Sequence, residues 1–330
     1  MAFTKMVEGS SADLRNDSSV TEFIIVGFPS TRDVEVSLFI LFLSLYLLSV
    51  TGNIIIIMTL KMDTQLHTPM YFFLGNLSFL DVGYTTVTVP KLLSILLTGV
   101  RTIPFAGCLL QSYFFFFLGT AECFLLAVMA YDRYIAICYP LRYSVIMSQK
   151  VCVLLIIGSW VGGCMAPLVA AFLVISLPFC GPNIVNHFFC DIPPLLKLAC
   201  VDTSITQKVI FLLSALVILG TFLSTVVSYL YIVITILRIS SSEGRHKAFS
   251  TCASHLTVVS LYYGTVIFMY VSPTTRSSFN MNKIVAVVYS VVTPTLNPMI
   301  YSLRNQDMKK ALKKILLKRR THGKEFEWPK

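Results

Sequence analysis

Long apolar runs separated by short polar segments dominate this chain. Seven stretches stay apolar over about 20 residues, the length that crosses the hydrocarbon of a bilayer as a helix. They are 36–60, 70–90, 105–131, 151–175, 209–237, 248–271 and 284–303. None alternates polar and apolar residues over ten-residue units, as a barrel strand does. The pattern therefore predicts an all-α membrane protein, a bundle of seven transmembrane helices. Pro69 suits the first turn of the second helix. After Arg304 the period changes: Met308, Ala311, Leu312, Ile315 and Leu316 share one face, and Lys309, Lys310, Lys313 and Lys314 the other. That spacing predicts a short amphipathic helix along a membrane surface.

Composition agrees with the pattern. The 330 residues are 55% hydrophobic and 13% charged, against about a quarter charged in soluble domains. The net charge of +10 flanks the spans rather than forming one surface, which argues against nucleic acid as a partner. With the N-terminus outside, Lys61, Arg133, Arg142, Lys150, Arg238, Arg245, Lys247 and the tail from Arg304 collect on the inner side. They are most of the 26 Lys and Arg. The positive-inside rule then makes the C-terminus cytoplasmic and the protein a multi-pass membrane protein. Residues 1–33 are polar and lack the short apolar core of a cleavable signal peptide, and are expected outside. There Asn16-Asp17-Ser18 is a candidate glycosylation acceptor. The triplet at Asn76 lies inside a span and is disregarded. Residues 34–303 form the membrane domain, and 304–330 the cytoplasmic helix and basic tail.

Charges inside spans are costly and mark candidate chemistry. Asp81 lies midway along the second span and Glu122 within the third, so both must face the bundle interior. With Asn297 and Asn53 they form a candidate polar core. Two neighbouring acids either share a cation or keep one carboxyl protonated. A bound sodium ion on Asp81 and Glu122 is the functional expectation, and a proton-linked hydrogen-bond network the alternative. The third span closes on Asp132-Arg133, a pair suited to the polar boundary.

Of nine cysteines, Cys108, Cys180, Cys190 and Cys200 fall outside, where oxidation favours disulfides. Four cysteines allow three connectivities. His187 with Cys190 does not match standard zinc spacing. A channel or transporter using Asp81 and Glu122 as an ion path is the competing function. The absence of internal repeats counts against it. His255 and Cys252 lack the partners that an enzyme site would need.

Several strings occur in order: Leu66-His-Thr-Pro-Met-Tyr-Phe-Phe-Leu74, Leu77-Ser-Phe-Leu-Asp81, Met129-Ala-Tyr-Asp-Arg-Tyr-Ile-Ala-Ile-Cys-Tyr-Pro140, Ser228-Tyr229, Lys247-Ala-Phe-Ser-Thr-Cys-Ala-Ser-His255 and Pro294-Thr-Leu-Asn-Pro-Met-Ile-Tyr301. Together they resemble the odorant receptors, the olfactory branch of the rhodopsin-like G-protein-coupled receptors, over nearly the whole chain. The resemblance implies a receptor for small volatile molecules that activates a stimulatory G protein and raises cAMP in the plasma membrane of olfactory cilia. It implies disulfides Cys108–Cys190 and Cys180–Cys200. It assigns Asp132, Arg133, Tyr134, Tyr229, Asn297, Pro298 and Tyr301 to a switch at the G-protein end. Arg133, with a planar fork of donors, suits tethering helix ends and meeting carbonyls of an inserted partner helix.

The resemblance also places a ligand pocket in the outer half of the bundle. Phe115, Phe116, Gly119, Thr120 and Cys123 come from the third helix, Leu213 and Val217 from the fifth, Tyr263, Val266 and Tyr270 from the sixth, and Ile192 from the long loop. This set is apolar and aromatic with few hydroxyls, which suits a small, mostly apolar ligand. Residue 115 is Phe, where amine receptors of the wider family place an Asp, so an uncharged ligand is expected. Tyr262-Tyr263-Gly264 stands where that wider family has a Trp with a nearby Pro.

Overall fold

The computed structural model describes residues 20–28, 31–180, 182–271, 279–304 and 307–314. The expected glycosylation acceptor Asn16, and Ile315 and Leu316 of the terminal helix, lie outside the described residues. Seven helices among those described are long and apolar enough to cross a membrane. The spanning helices are α1 (Arg32–Met62), α2 (Pro69–Thr98), α3 (Phe105–Cys138), α5 (Gln149–Ile175), α7 (Ser204–Arg238) and α8 (Ser242–Tyr270), completed by a final span. That last span is built from α9 (Phe279–Val287), a π-turn at Val288–Val292 and α10 (Thr293–Arg304). Two short helices, α4 (Tyr143–Ile146) and α6 (Ile192–Leu196), sit in the connections.

Helix α3 lies at the centre, packed against α2, α5, α7 and α8. At its closest approach to α5, Gly163 leaves room for Ala121: a Cβ there would sit 2.6 Å from that of Ala121. Small residues at such crossings let helix backbones come together where no hydrophobic force separates helix from lipid.

The helices outrun the apolar stretches. The second span continues past Pro90 to Thr98, since a proline removes a helical hydrogen bond without having to end a membrane helix. Gln111 donates its amide to the Val87 carbonyl at 2.9 Å, one turn before Pro90. Gly99 then ends the helix in the left-handed conformation. Helix α8 starts at Ser242, with Ser241 accepting from the Gly244 N–H as its cap. The connection from α7 is thus shorter than the polar run 240–244 suggests.

A small sheet was not foreseen. Strand β1 (Glu22–Ile25) pairs antiparallel with β2 (Thr102–Pro104) and parallel with β3 (Ile184–Val185). Its alternation is short but strict: Phe23 and Ile25 are buried while Glu22 is exposed. Phe23 packs on Phe105 and Phe179 at centroid distances of 5.6 and 5.5 Å. These residues seed a second hydrophobic cluster over one end of the bundle. Part of the polar N-terminal segment thus closes that end.

At the other end, residues 307–314 are helical. Met308 and Ala311 are buried in the main core, and Lys314 lies 3.6 Å from Asp63. Part of the expected lipid-facing stripe therefore packs on protein.

Candidate functional site: a lidded cavity, a polar core and an Asp-Arg switch

The bundle holds a cavity between α3, α5, α7 and α8, with about 680 Å³ of space not filled by atoms, counting its open side. All but one of the residues expected to meet a ligand line it: Phe115, Phe116, Gly119, Thr120, Cys123, Ile192, Leu213, Val217, Val266 and Tyr270. Tyr263 does not. It donates to the Cys123 carbonyl at 3.0 Å and packs on Phe222 at 5.3 Å, turned towards α7. Its neighbour Tyr262 forms the wall instead, along with Tyr84 from α2. Among the described residues no charged side chain lines the cavity, and its hydroxyls come from Tyr84, Thr120, Ser214, Tyr262 and Tyr270.

Aromatic rings order one wall. Phe115 stacks on Tyr84 at 4.8 Å and meets Phe189 at 4.3 Å. Phe116 meets Tyr270 edge-on at 5.6 Å. Gly119 must stay small, since a Cβ there would lie 3.1 Å from the Tyr84 hydroxyl and 3.5 Å from that of Tyr262.

The lid is the segment around Cys190. Of the three possible connectivities, the chain holds Cys108–Cys190 and Cys180–Cys200, with Cα separations of 5.4 and 5.6 Å. Both separations are normal for disulfides. The Cys190 N–H also donates to Gln111 at 3.0 Å, so one helix holds the lid by a covalent bond and a hydrogen bond.

Asp191 caps α6 by accepting from the Ile192 N–H at 2.9 Å. Burial pushes its carboxyl up to about 7, while hydrogen bonds from Ile192 and the Tyr270 hydroxyl pull the other way. His187 is buried between Phe188 and Phe189. Burial, then the Lys283 ammonium, drives it down to about 3. Lys283 itself donates to the Gly27 carbonyl at 2.8 Å, where Gly27 turns with φ of 68°. Sequence reading passed over Asp191 and Lys283. Their signal, single charges in apolar surroundings, was visible only as composition.

Midway along the bundle, Asn297 donates to both carboxylate oxygens of Asp81 at 3.1 and 3.0 Å. Glu122 lies within electrostatic reach of Asp81. Both Glu122 oxygens are buried with no protein partner, as are Ser49 Oγ, Asn53 Oδ1 and Asn297 Oδ1. Asn53 instead ties α1 to α10 by donating to the Pro294 carbonyl at 3.1 Å. It makes no direct bond to Asp81 among the described contacts.

At the far end Arg133 is buried and paired with its neighbour Asp132 through Nε and Nη2. Tyr143 donates to the other carboxylate oxygen of Asp132 at 2.7 Å, adding a hydroxyl that sequence reading missed. Tyr229 shares a 2.7 Å hydrogen bond with Nδ1 of His255. His255, read from sequence as packing alone, thus holds α8 to α7. Tyr301 is buried with its hydroxyl unpartnered, and Tyr134 packs at tilted and edge-on angles among Tyr131, Tyr139 and Tyr231. Pro298 lies inside α10 against Gly52, whose Cβ would meet its ring at 3.1 Å.

Seven apolar helices around a lidded cavity, with an Asp-Arg pair at the opposite mouth, define a multi-pass membrane receptor of the G-protein-coupled class. A family model described as Olfactory receptor matches residues 42–319. Human olfactory receptor 6N1 is 51% identical over 304 residues, covering 92% of this chain and 97% of that protein. Human olfactory receptor 11H6 is 51% identical over 90% of each. Mouse olfactory receptor 5AR1 is 48% identical over 93% of this chain and 99% of its own. The chain belongs to the olfactory receptor family. It is an odorant receptor, not an enzyme, and its partners are an odorant and a G protein.

Proposed function

We propose that the receptor binds a small, uncharged, mostly apolar volatile in the lidded cavity and signals through a stimulatory G protein to raise cAMP. The observation that carries the ligand class is the cavity lining, apolar and aromatic with a few hydroxyls and no ionised side chain. A protonated amine would leave water without a counter-ion there, a cost of several kcal/mol. An aldehyde, alcohol, ester or ketone has one acceptor or donor to match Thr120, Ser214 or a tyrosine hydroxyl.

The disulfide end faces outward and the Asp132-Arg133 end faces the cytoplasm. Disulfides persist in oxidising compartments, and the basic residues gather at the Asp-Arg end. The N-terminus is then extracellular, and the receptor works at the plasma membrane of olfactory cilia. Arg133, released from Asp132, meets the inserted G-protein segment, and Tyr229 and Tyr301 turn towards it once α8 swings out. Asn297 and Pro298 give the last span its pivot.

We read the polar core as the site of a sodium ion. Asp81 and Glu122 supply charge, and the unpartnered oxygens of Glu122, Ser49, Asn53 and Asn297 are the hard donors that such a cation takes. The ion would hold the resting arrangement by bridging α2 and α3.

A panel of volatile compounds, applied to cells expressing the receptor with a stimulatory G protein and read by cAMP, tests the reading. A dose-dependent cAMP rise for neutral compounds is expected. A ligand-gated ion current without cAMP, or a response confined to charged amines, would overturn it.

A further inference from the structure

The cavity has a second neighbour. A groove of about 1010 Å³, counting its open side, runs between α3 and α5 on the outside of the bundle. It shares Phe116, Pro167 and Ile192 with the cavity. Otherwise Leu109, Leu168 and Ala171 represent its lining, with Ser112 and Tyr113 the polar residues. Leu110 and Leu168 are 56% and 42% exposed on its rim, which sets the groove on the lipid-facing surface of two spanning helices.

The lid over the cavity is shut. Phe188, Phe189 and Cys190 are fully buried and Ile192 is 5% exposed, and the disulfide and Gln111 hold this segment down. The wall towards the groove is thinner. Phe116 is only half-buried, and its ring leans edge-on against Tyr270. Pro167, on the α5 side, lacks the N–H that would bond one turn back, which loosens the helix there.

We propose that this groove is a binding vestibule for small, uncharged, apolar molecules dissolved in the bilayer, which pass Phe116 to reach the cavity. The inference rests on the ligand class proposed above. Such molecules concentrate in hydrocarbon, so a lipid-side site sees them at higher concentration than the lidded aqueous face does. The groove's continuity with the cavity through three shared side chains is what commits it to this occupant. Rotation of one aromatic side chain is a far smaller rearrangement than lifting a disulfide-held lid.

The test uses full-length receptor in lipid nanodiscs and trifluoromethylphenyldiazirine, a small apolar photoprobe. The probe is mixed in, flashed after delays from milliseconds to minutes, and mapped by mass spectrometry. Label is expected on Leu109 and Leu168 in the groove as well as on Phe115 and Val217 in the cavity. Ala171→Trp, which fills the groove from a position that does not itself line the cavity, should abolish groove label. It should also slow cavity labelling on the order of tenfold, about 1.4 kcal/mol of barrier. Leu168→Trp gives an independent reading if Ala171→Trp does not fold, judged by thermal melting. Phe172→Trp, on an exposed position outside the groove, should label as the wild type does.

Cavity labelling at the wild-type rate in both filled-groove variants overturns the vestibule and leaves the cavity reading intact. So does a groove that stays unlabelled because an acyl chain holds it. A wild-type cavity that takes no label overturns the ligand class itself, and the vestibule with it.

Discussion

Tyr262 donates its hydroxyl to the backbone carbonyl of Gly119 at 2.6 Å, so the floor of the ligand cavity is also a clasp between α8 and α3. Tyr263 makes the next bond down, to Cys123. Two adjacent tyrosines therefore tie α8 to α3, and one of them, Tyr262, also faces the cavity. Each net bond is worth about 1 kcal/mol. Tyr262→Phe should raise basal cAMP on the order of fivefold at equal surface expression, since a factor of about five corresponds to that energy. A basal level equal to wild type would show that the bond does not distinguish the two states.

Gly119 sets the cavity's depth. Its missing side chain accommodates the hydroxyls of Tyr84 and Tyr262. Gly119→Val crowds both, at an overpacking cost of about 1–3 kcal/mol. The expected result is normal surface expression with loss of the volatile-induced response. Gly119→Ala should keep a weakened response. If both variants respond with wild-type dose dependence, the ligand does not reach this floor.

Arg133 is held inside the bundle by Asp132, and Asp132 is held by Tyr143. Arg133→Ala should abolish G-protein activation without removing the receptor from the surface. Tyr143→Phe removes one restraint on the resting pair, so basal signalling should rise several-fold. Measuring cAMP against surface label for both variants checks the pair. Signalling by Arg133→Ala at the wild-type level would remove the arginine from the switch.

Much of this fold is legible in apolar run length, because a bilayer demands spans of set length whatever their partners. The ends are not. Helix α2 continues through Pro90, and beside it Gln111 of α3 donates to the Val87 carbonyl, a tertiary bond that no local rule encodes. The strand at Glu22–Ile25 gains its value from Ile103 and Val185, which come from distant loops. At the site, the resemblance to the odorant receptors was enough to bring most of the lining together. Yet Tyr262 and Tyr263 are adjacent on one helix, and only the packing of Phe222 against Tyr263 decides which faces the cavity. Asp191 escaped notice because its meaning comes from burial under the lid.

The lid should make stability depend on pH through two opposed groups. The Asp191 carboxyl is raised by burial from 3.8 to about 7. Its contribution is therefore complete below 3.8 and is lost as pH rises through about 7. His187 is lowered from 6.5 to about 3, so its contribution is present above 6.5 and is lost as pH falls towards 3. Between these limits the two slopes partly cancel, and from pH 6.5 upward Asp191 acts alone. Asp191→Asn keeps a side-chain acceptor for Ile192 but cannot ionise. Its melting temperature should stay level from pH 6.5 to 8, where that of the wild type falls. A parallel fall in both proteins would take Asp191 out of the effect.

The polar core offers the sharpest choice between a cation and a proton. Glu122 is buried with both oxygens unpartnered while Asp81 already accepts twice from Asn297. The missing partner therefore belongs to Glu122. A protonated Glu122 would still need an acceptor for its hydroxyl, whereas a sodium ion between the two acids would contact oxygens of both and offset one of their two negative charges. Binding to the folded state alone stabilises it by about 1.4 kcal/mol when the ion stands at roughly ten times its dissociation constant. Replacing potassium chloride by sodium chloride at constant ionic strength should thus raise the melting temperature of the purified receptor. Glu122→Gln should remove that difference while leaving the disulfides and the lid as they are. If the wild type melts identically in both salts, the ion is wrong and the core is held by a shared proton. Glu122→Gln, which mimics the protonated acid, should then be as stable as the wild type.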